Sequence, residues 1–391
     1  MFLKTAALSL ISLSLLTAIP AAGADPQARP ELHPLYDKTL ADVDRLLMEV
    51  RLDAADSLIG IYIERHPEHP AGYFFRAASL SWRIFLRPRD TDLGPLRNEF
   101  ERSIKDCRRV AERASKRRES EFEGLLYLGA IYGQEALLAL IDHKYLVMAP
   151  LAKQAWNYIG QTLVMDPRYY DSYFGKGMYQ YFIAILPKPI QLLAEVYGFE
   201  SDREQGLANI RLAAERGLYS QEAAGVMLMN IYSIIEQPDD YVEDLARKLY
   251  ARFPDNPLVH WRYGDILLRR LKYDQAAPLF EAVAKRIGAN APYYRNQLFS
   301  EFSMAYRLGV CYRMSGNSDQ ALARFDYVIA GRDVFPDWVV PGSWLAKGEI
   351  LIGRRDYGRA RQCLQQVLEL DDYQDFHERA EKLLEEIGQQ K

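Results

Sequence analysis

The stretch Gly309-Val310-Cys311-Tyr312-Arg313-Met314-Ser315-Gly316-Asn317-Ser318-Asp319-Gln320-Ala321-Leu322-Ala323-Arg324-Phe325 sets a small residue, a second small residue twelve positions on, and a large apolar residue four further. Gly264, Ala276 and Phe280 repeat that spacing, and so do Gly348, Ala360 and Leu364. Twelve positions accommodate the rest of one helix, a tight turn and the start of the next. Small residues let two helix backbones approach, and the larger residue one turn later fills the space beside them. Three copies describe three closely crossed helix pairs in a row.

This spacing resembles the tetratricopeptide repeat (TPR). The resemblance implies an all-α, TPR-like α-solenoid, a fold whose extended concave surface binds other molecules. Toward the N-terminus the pairing continues with less regularity. Ala55, Ile59 and Pro67 occupy second-helix positions of a first pair. Tyr73 and Ala77 open a second, whose partner is expected over about Leu93–Arg118. A third runs from Gly129 to Ala155, Ile159 and Pro167, with an insertion near 135–150. A fourth opens with Tyr173 and Gly177, is interrupted over 183–202, and resumes with Gly206 as the small residue facing Gly177. The fifth covers Gln221–Ile235 and Tyr241–Phe253, ending in Pro254-Asp255-Asn256-Pro257. Residues 25–253 are thus divergent repeats and 257–372 regular ones. In 373–391, Phe376, Ala380, Leu383, Leu384 and Ile387 form one apolar stripe with charges opposite. That pattern suits a C-terminal capping helix. The expectation is about eight helix pairs plus this cap.

The first residues read differently. Lys4 precedes an apolar run, Ala6 to Ile19, closed by Pro20 and followed by Ala22-Gly23-Ala24 before Asp25. This is the pattern of a secretory signal peptide over 1–24. It leads to the expectation of an exported protein, periplasmic first, with secretion or outer-membrane association as alternatives. Loss of Lys4 takes the net charge from −4 to −5, which argues against a nucleic-acid binder. Cys107, Cys311 and Cys363 cannot all pair internally. Cys311 and Cys363 stand at core positions of the repeats, whereas Cys107, flanked by charges, is expected to be exposed.

Catalytic and cofactor motifs are absent from the sequence. It has no Walker A loop, no G-x-S-x-G elbow and no C-x-x-C pair. His66 and His69 flank Pro67-Glu68, but zinc needs three or four placed ligands and no third is evident. No catalytic residue, cofactor or metal is assigned. Arg102, Lys105, Arg108, Arg109, Arg113, Lys116, Arg117 and Arg118 make a basic helix, read first as a solvated outer face.

In a TPR the first helix of each pair lines the concave groove. The anchor glycines then aim Trp261, Asp265, Arg269, Tyr306, Arg313, Leu345 and Glu349 into it. In the fourth pair Phe174, Met178, Tyr181 and Phe182 do the same. Aromatic and arginine side chains are the usual anchors of binding energy. The candidate partner-binding residues are therefore Phe174, Tyr181, Trp261, Asp265, Arg269, Tyr306 and Arg313. The apolar interruption, Ile183–Phe199, reads either as a packed hairpin or as an exposed hydrophobic lip.

Within and beyond that interruption, Leu192-Leu193-Ala194-Glu195-Val196-Tyr197-Gly198-Phe199-Glu200-Ser201-Asp202-Arg203-Glu204-Gln205-Gly206-Leu207 carries a more specific likeness. It resembles a segment of the TPR family that includes the fungal inclusion-body clearance protein, with Ser201 in place of the family's glycine. Exported bacterial TPR proteins are similar as well. The resemblance implies a non-enzymatic, all-helical adaptor. The leading expectation is an exported scaffold binding a protein or peptide of the cell envelope. The alternatives are a small-molecule binder or enzyme with a pocket near the aromatic insertion, and a membrane-peripheral protein.

Overall fold

A computed structural model describes residues 35–88, 91–142, 144–296, 298–373 and 375–389. The signal-peptide segment lies outside the described residues. Among these the chain has eighteen helices and no strand. Eight pairs are formed by α1 (Lys38–Met48) and α2 (Leu52–Arg65), α3 (Pro70–Phe85) and α4 (Gly94–Ala114), α5 (Glu121–Ile141) and α6 (Tyr145–Met165), α7 (Asp171–Ala184) and, after the short α8 (Lys188–Val196), α9 (Arg203–Arg216), α10 (Gln221–Ile234) and α11 (Asp240–Arg252), α12 (Pro257–Arg269) and α13 (Tyr273–Gly288), α14 (Glu301–Met314) and α15 (Ser318–Ile329), and α16 (Val339–Gly353) and α17 (Tyr357–Leu368). A last helix, α18 (Phe376–Gly388), follows. This is the all-α, TPR-like solenoid of eight helix pairs and a cap.

The repeated spacing works as its chemistry requires. A Cβ on Gly264 or Gly309 would stand 2.6 Å from the ring of Phe280 or Phe325 respectively, and one on Gly348 3.0 Å from Leu364. Ala276, Ala321 and Ala360 are fully enclosed at the same crossings. Side-chain caps fix where helices begin. Asp37, Asp202, Asp239 and Asp356 each accept backbone N–H groups of the helix that follows. Ser300 and Ser303 form a reciprocal capping box on α14. The cap α18 buries Phe376, Ala380 and Ile387 against Leu345, Leu364 and Val367.

The insertion near 135–150 is not a loop. It lengthens both helices of the third pair to 21 residues each. The expected Leu93–Arg118 helix stops at Ala114. Cys107 is not exposed but wholly buried, and its thiol donates to the Pro70 carbonyl at 3.6 Å. Its charged neighbours lie on other faces of α4, while Ser103, Ile104, Cys107, Val110, Ala111 and Ala114 form the packed stripe. Cys311 and Cys363 are buried as expected.

The chain divides into two compact units, residues 35–85 with 91–259, and residues 86–88 with 260–389. The first unit closes on itself. The Asn256 amide, in the turn after α11, donates to the Met48 carbonyl at the end of α1 at 2.8 Å. The Tyr219 hydroxyl, just before α10, donates to the Leu35 carbonyl at 2.9 Å. Inside that closure Asp44 is 1 % exposed, and its Oδ2 meets no donor among the described residues. Burial first, then the nearby Glu222 carboxylate, hold the Asp44 carboxyl well above the usual range.

Candidate functional site

In the second unit the first helices of successive pairs present a face built on two shared carboxylates. Asp265 on α12 accepts from Arg307 Nε on α14 at 2.6 Å and from Arg262 Nη1 at 3.3 Å. Glu349 on α16 accepts from Arg313 on α14 and, through its other oxygen, from Arg379 Nη2 on α18 at 2.7 Å. Each carboxylate thus sits between two guanidinium groups. Four helices are cross-linked in this way along one face.

Aromatic rings frame the charges. The Arg262 guanidinium lies 3.9 Å over Trp261, and Arg307 is 5.3 Å from the same ring. Trp261 also packs on Phe299 with ring centroids 4.9 Å apart. Tyr306 meets Trp338 edge-on at 5.1 Å and Phe325 at 5.9 Å. Arg262 is 3 % exposed, and burial pushes its pKa down to about 10 against the pull of Asp265. Burial raises the Tyr306 hydroxyl, while Arg313, Arg379 and Arg307 pull it back. That hydroxyl makes no hydrogen bond to any described residue.

The seven sequence candidates fall in different surroundings. Asp265, Tyr306 and Arg313 belong to this face; Asp265 is buried and the other two are half-buried. Trp261 is at its base, 6 % exposed. Arg269 is half-buried at the C-terminal end of α12. Phe174 and Tyr181 lie in the first unit, 2 % and 0 % exposed, so neither presents surface. Tyr181 instead donates through its hydroxyl to Glu236 at 2.8 Å. Sequence reasoning missed Arg262, Arg307, Trp338 and Arg379. A signal for two of them was present: Trp261-Arg262 and Tyr306-Arg307 are the same aromatic–arginine step, ending two residues before an anchor glycine.

The segment with the specific family likeness forms a latch between α7 and α9. Gly198 turns the chain out of α8 with φ +76°. Phe199 lies against Trp156 and Tyr179, with centroids 5.8 and 6.1 Å away, and the Lys153 ammonium stands 5.2 Å over its ring. Glu200 accepts from Gln180 at 3.2 Å and pairs with Lys176 at 3.3 Å. Asp202 caps α9 through the Gln205 N–H at 2.9 Å. Arg203 Nε donates to Glu236 at 2.8 Å. Every polar group named here is engaged by the protein itself.

Just before the latch, α8 and the turn after it leave Ile190, Leu192, Val196 and Tyr197 exposed. Of the two readings of the interruption, these residues follow the exposed lip. His69, from the loop weighed for a metal, pairs with Glu123 at 3.1 Å and faces Tyr62 at 3.4 Å. Arg113, in the last turn of α4, and Arg117, in the turn that follows it, stand 3.9 and 3.8 Å from Glu68, all three exposed.

Two family models match the chain. The Iml2/Tetratricopeptide repeat protein 39 model matches residues 172–291, and a tetratricopeptide repeat model matches 304–330. They support a protein of the TPR family, and the first match spans the latch. No curated protein matches. Among solved structures, the TPR domain of P58(IPK) is similar at 13% identity over 93% of this chain and 99% of that one, with a TM-score of 0.26.

Proposed function

We propose that the chain is a non-catalytic adaptor that holds a protein or peptide segment on the first-helix face of its second unit. The TPR matches support a protein-interaction scaffold. The observation that carries the reading is Tyr306, a residue of intermediate exposure on α14 whose ring meets Trp338 at 5.1 Å and Phe325 at 5.9 Å, in a face that also holds Arg307, Arg313 and Arg379. Aromatic and arginine groups gathered at one point are what binding hot spots are made of. The apolar run before Asp25 supports export, with a cell-envelope partner as its consequence.

A photo-crosslinking amino acid at position 306 tests the site. It should capture a discrete protein partner in cells, while the same residue at position 117, in the exposed turn after α4, should not. Capture only from position 117 would move the function to the outer face. Export is tested by the intact mass of the envelope protein, which should begin at Asp25. A retained Met1 would sink that part.

A second reading rests on α8. Leu192 and Val196 on this short helix, and Tyr197 in the turn after it, are more than half exposed, with the exposed Lys188 at its start. Such a helix can lie in a lipid interface. Flotation with anionic vesicles that is lost in Val196→Asp would favour this membrane-peripheral role. No flotation of the native chain would remove it.

A further inference from the structure

Over α3, between α2 and α4, the first unit holds a cleft of about 410 Å³ lined by Asp56, Arg76, Leu80, Arg83, Leu96 and Glu99. Asp56 comes from α2, the next three from one face of α3 at i, i+4 and i+7, and the last two from α4. The Arg83 end is satisfied by the protein itself. Its guanidinium donates to Asp53 at 2.7 Å and to Asp56 at 2.6 Å, and the buried Ser79 hydroxyl holds the other Asp56 oxygen at 2.6 Å. Arg76 and Glu99 differ: among the described residues their side chains make no hydrogen bond and no ion pair, with each other or with anything else. The backbone is open beside Arg76. Ile63 against Gly72, and Asp56 against Ser79, set the register of α2 on α3, and that register puts Gly60 in the layer of Arg76. A Cβ on Gly60 would meet nothing within 4 Å.

We infer that this cleft binds a small zwitterion: an amino acid or short peptide with a free ammonium, a free carboxylate and an apolar side chain. A guanidinium fork meets both oxygens of a carboxylate, and the Arg76 fork is unoccupied by the protein. The Glu99 carboxylate can accept from an ammonium. A purely anionic ligand would satisfy Arg76 but meet Glu99 with like charge, and a purely cationic one the reverse, so charge complementarity selects a molecule with both ends. Leu80 and Leu96 give its side chain an apolar contact in the same cleft. The volume falls in the range of small-molecule sites, roughly 300–1,000 Å³, but those that take apolar ligands are lined mostly by apolar groups. Here four of the six lining residues are charged, which favours a charged ligand. All six belong to the first unit, so the inference stands or falls apart from the adaptor reading of the second.

The test is titration calorimetry of the full chain with free leucine and with the dipeptide alanyl-leucine. Two capped dipeptides are the controls: the N-acetyl form, which lacks the ammonium, and the C-terminal amide, which lacks the carboxylate. Leucine or alanyl-leucine should bind saturably, and whichever binds more tightly tells a free amino acid from a peptide as the ligand. Each cap should weaken the dipeptide about tenfold, a difference that fades at high salt. Arg76→Gln should no longer distinguish the dipeptide from its amide. Glu99→Gln should no longer distinguish it from its N-acetyl form. Because neither side chain is paired in the protein, both variants should keep the parent melting temperature. A merely structural role would instead lower the melting temperature and weaken all the ligands alike. The inference is overturned if neither leucine nor alanyl-leucine binds saturably up to millimolar concentration. It is equally overturned if the capped forms bind as tightly as the free dipeptide, or if each variant still discriminates against the cap it should ignore.

Discussion

Gly177 and Gly206 meet backbone to backbone: a Cβ on Gly177 would stand 2.6 Å from the Gly206 carbonyl oxygen, and one on Gly206 2.9 Å from that of Gly177. The Cβ of Gly206→Ala would also come within 2.5 Å of the Tyr181 backbone nitrogen, which cannot swing aside as a side chain does. Overpacking of this kind costs about 1–3 kcal/mol or more. Gly60, inside α2, has open space where a methyl group would stand, with nothing within 4 Å, so Gly60→Ala should instead stabilise by about 0.5–1 kcal/mol. Chemical denaturation of the two variants should therefore move in opposite directions.

Asp44 should make the first unit sensitive to pH. Its folded carboxyl titrates well above the ordinary aspartate value of about 3.9. Below that ordinary value both folded and unfolded chains hold the proton and the residue costs little. As pH rises from there the unfolded chain ionises first, so stability is progressively lost up to the raised folded value. Asp44→Asn should therefore match the parent near pH 4 and exceed it increasingly toward neutral pH. Melting curves across that range decide it, and a gain confined to low pH would contradict the assignment.

Trp261 and Tyr306 should behave differently despite their matching repeat positions. Trp261 is nearly enclosed between Phe299 and Arg262, so Trp261→Ala should cost about 3–5 kcal/mol of stability in the second unit. Its effect on binding would be hard to separate from that loss. Tyr306→Phe keeps the ring contacts and removes only a hydroxyl that bonds to no described residue. It should leave the melting temperature in place and weaken partner binding.

The thiols should be silent in the native protein. Burial pushes the Cys311 pKa up to about 12 and raises Cys107 further. A thiol reagent at pH 8 should label neither quickly, and denaturant should expose both. Rapid native labelling of Cys107 would return it to the exposed surface that its charged neighbours suggested.

Why some of this was legible follows from the range of each signal. The crossings at Gly264, Gly309 and Gly348 need partners only one helix away, so spacing along the chain reports them. The Gly177–Gly206 crossing survives an insertion because both small residues keep their places. Cys107 misled because its immediate neighbours are charged, although its helical neighbours at 103, 104, 110 and 111 are small or apolar. The Arg262–Asp265–Arg307 and Arg313–Glu349–Arg379 clusters depend on which side chains of adjacent repeats meet, and no spacing rule encodes that. The α8 surface was ambiguous because an apolar run reads alike whether it is covered or bare.

The bond from Asn256 to the Met48 carbonyl has a consequence for how the first unit comes apart. A linear repeat array holds together through nearest neighbours and frays from its ends. Here the opening helix is tied to a residue 208 positions later, so the unit lacks a loose first repeat. Amides of α1 should then exchange with solvent no faster than those of α10, by one concerted opening. The same tie makes assembly wait for a distant loop to close, which slows folding relative to a simple stack. Asn256→Asp keeps the acceptor that caps α12 but loses the donor to Met48. It should turn one sharp transition into early melting of α1 followed by the rest.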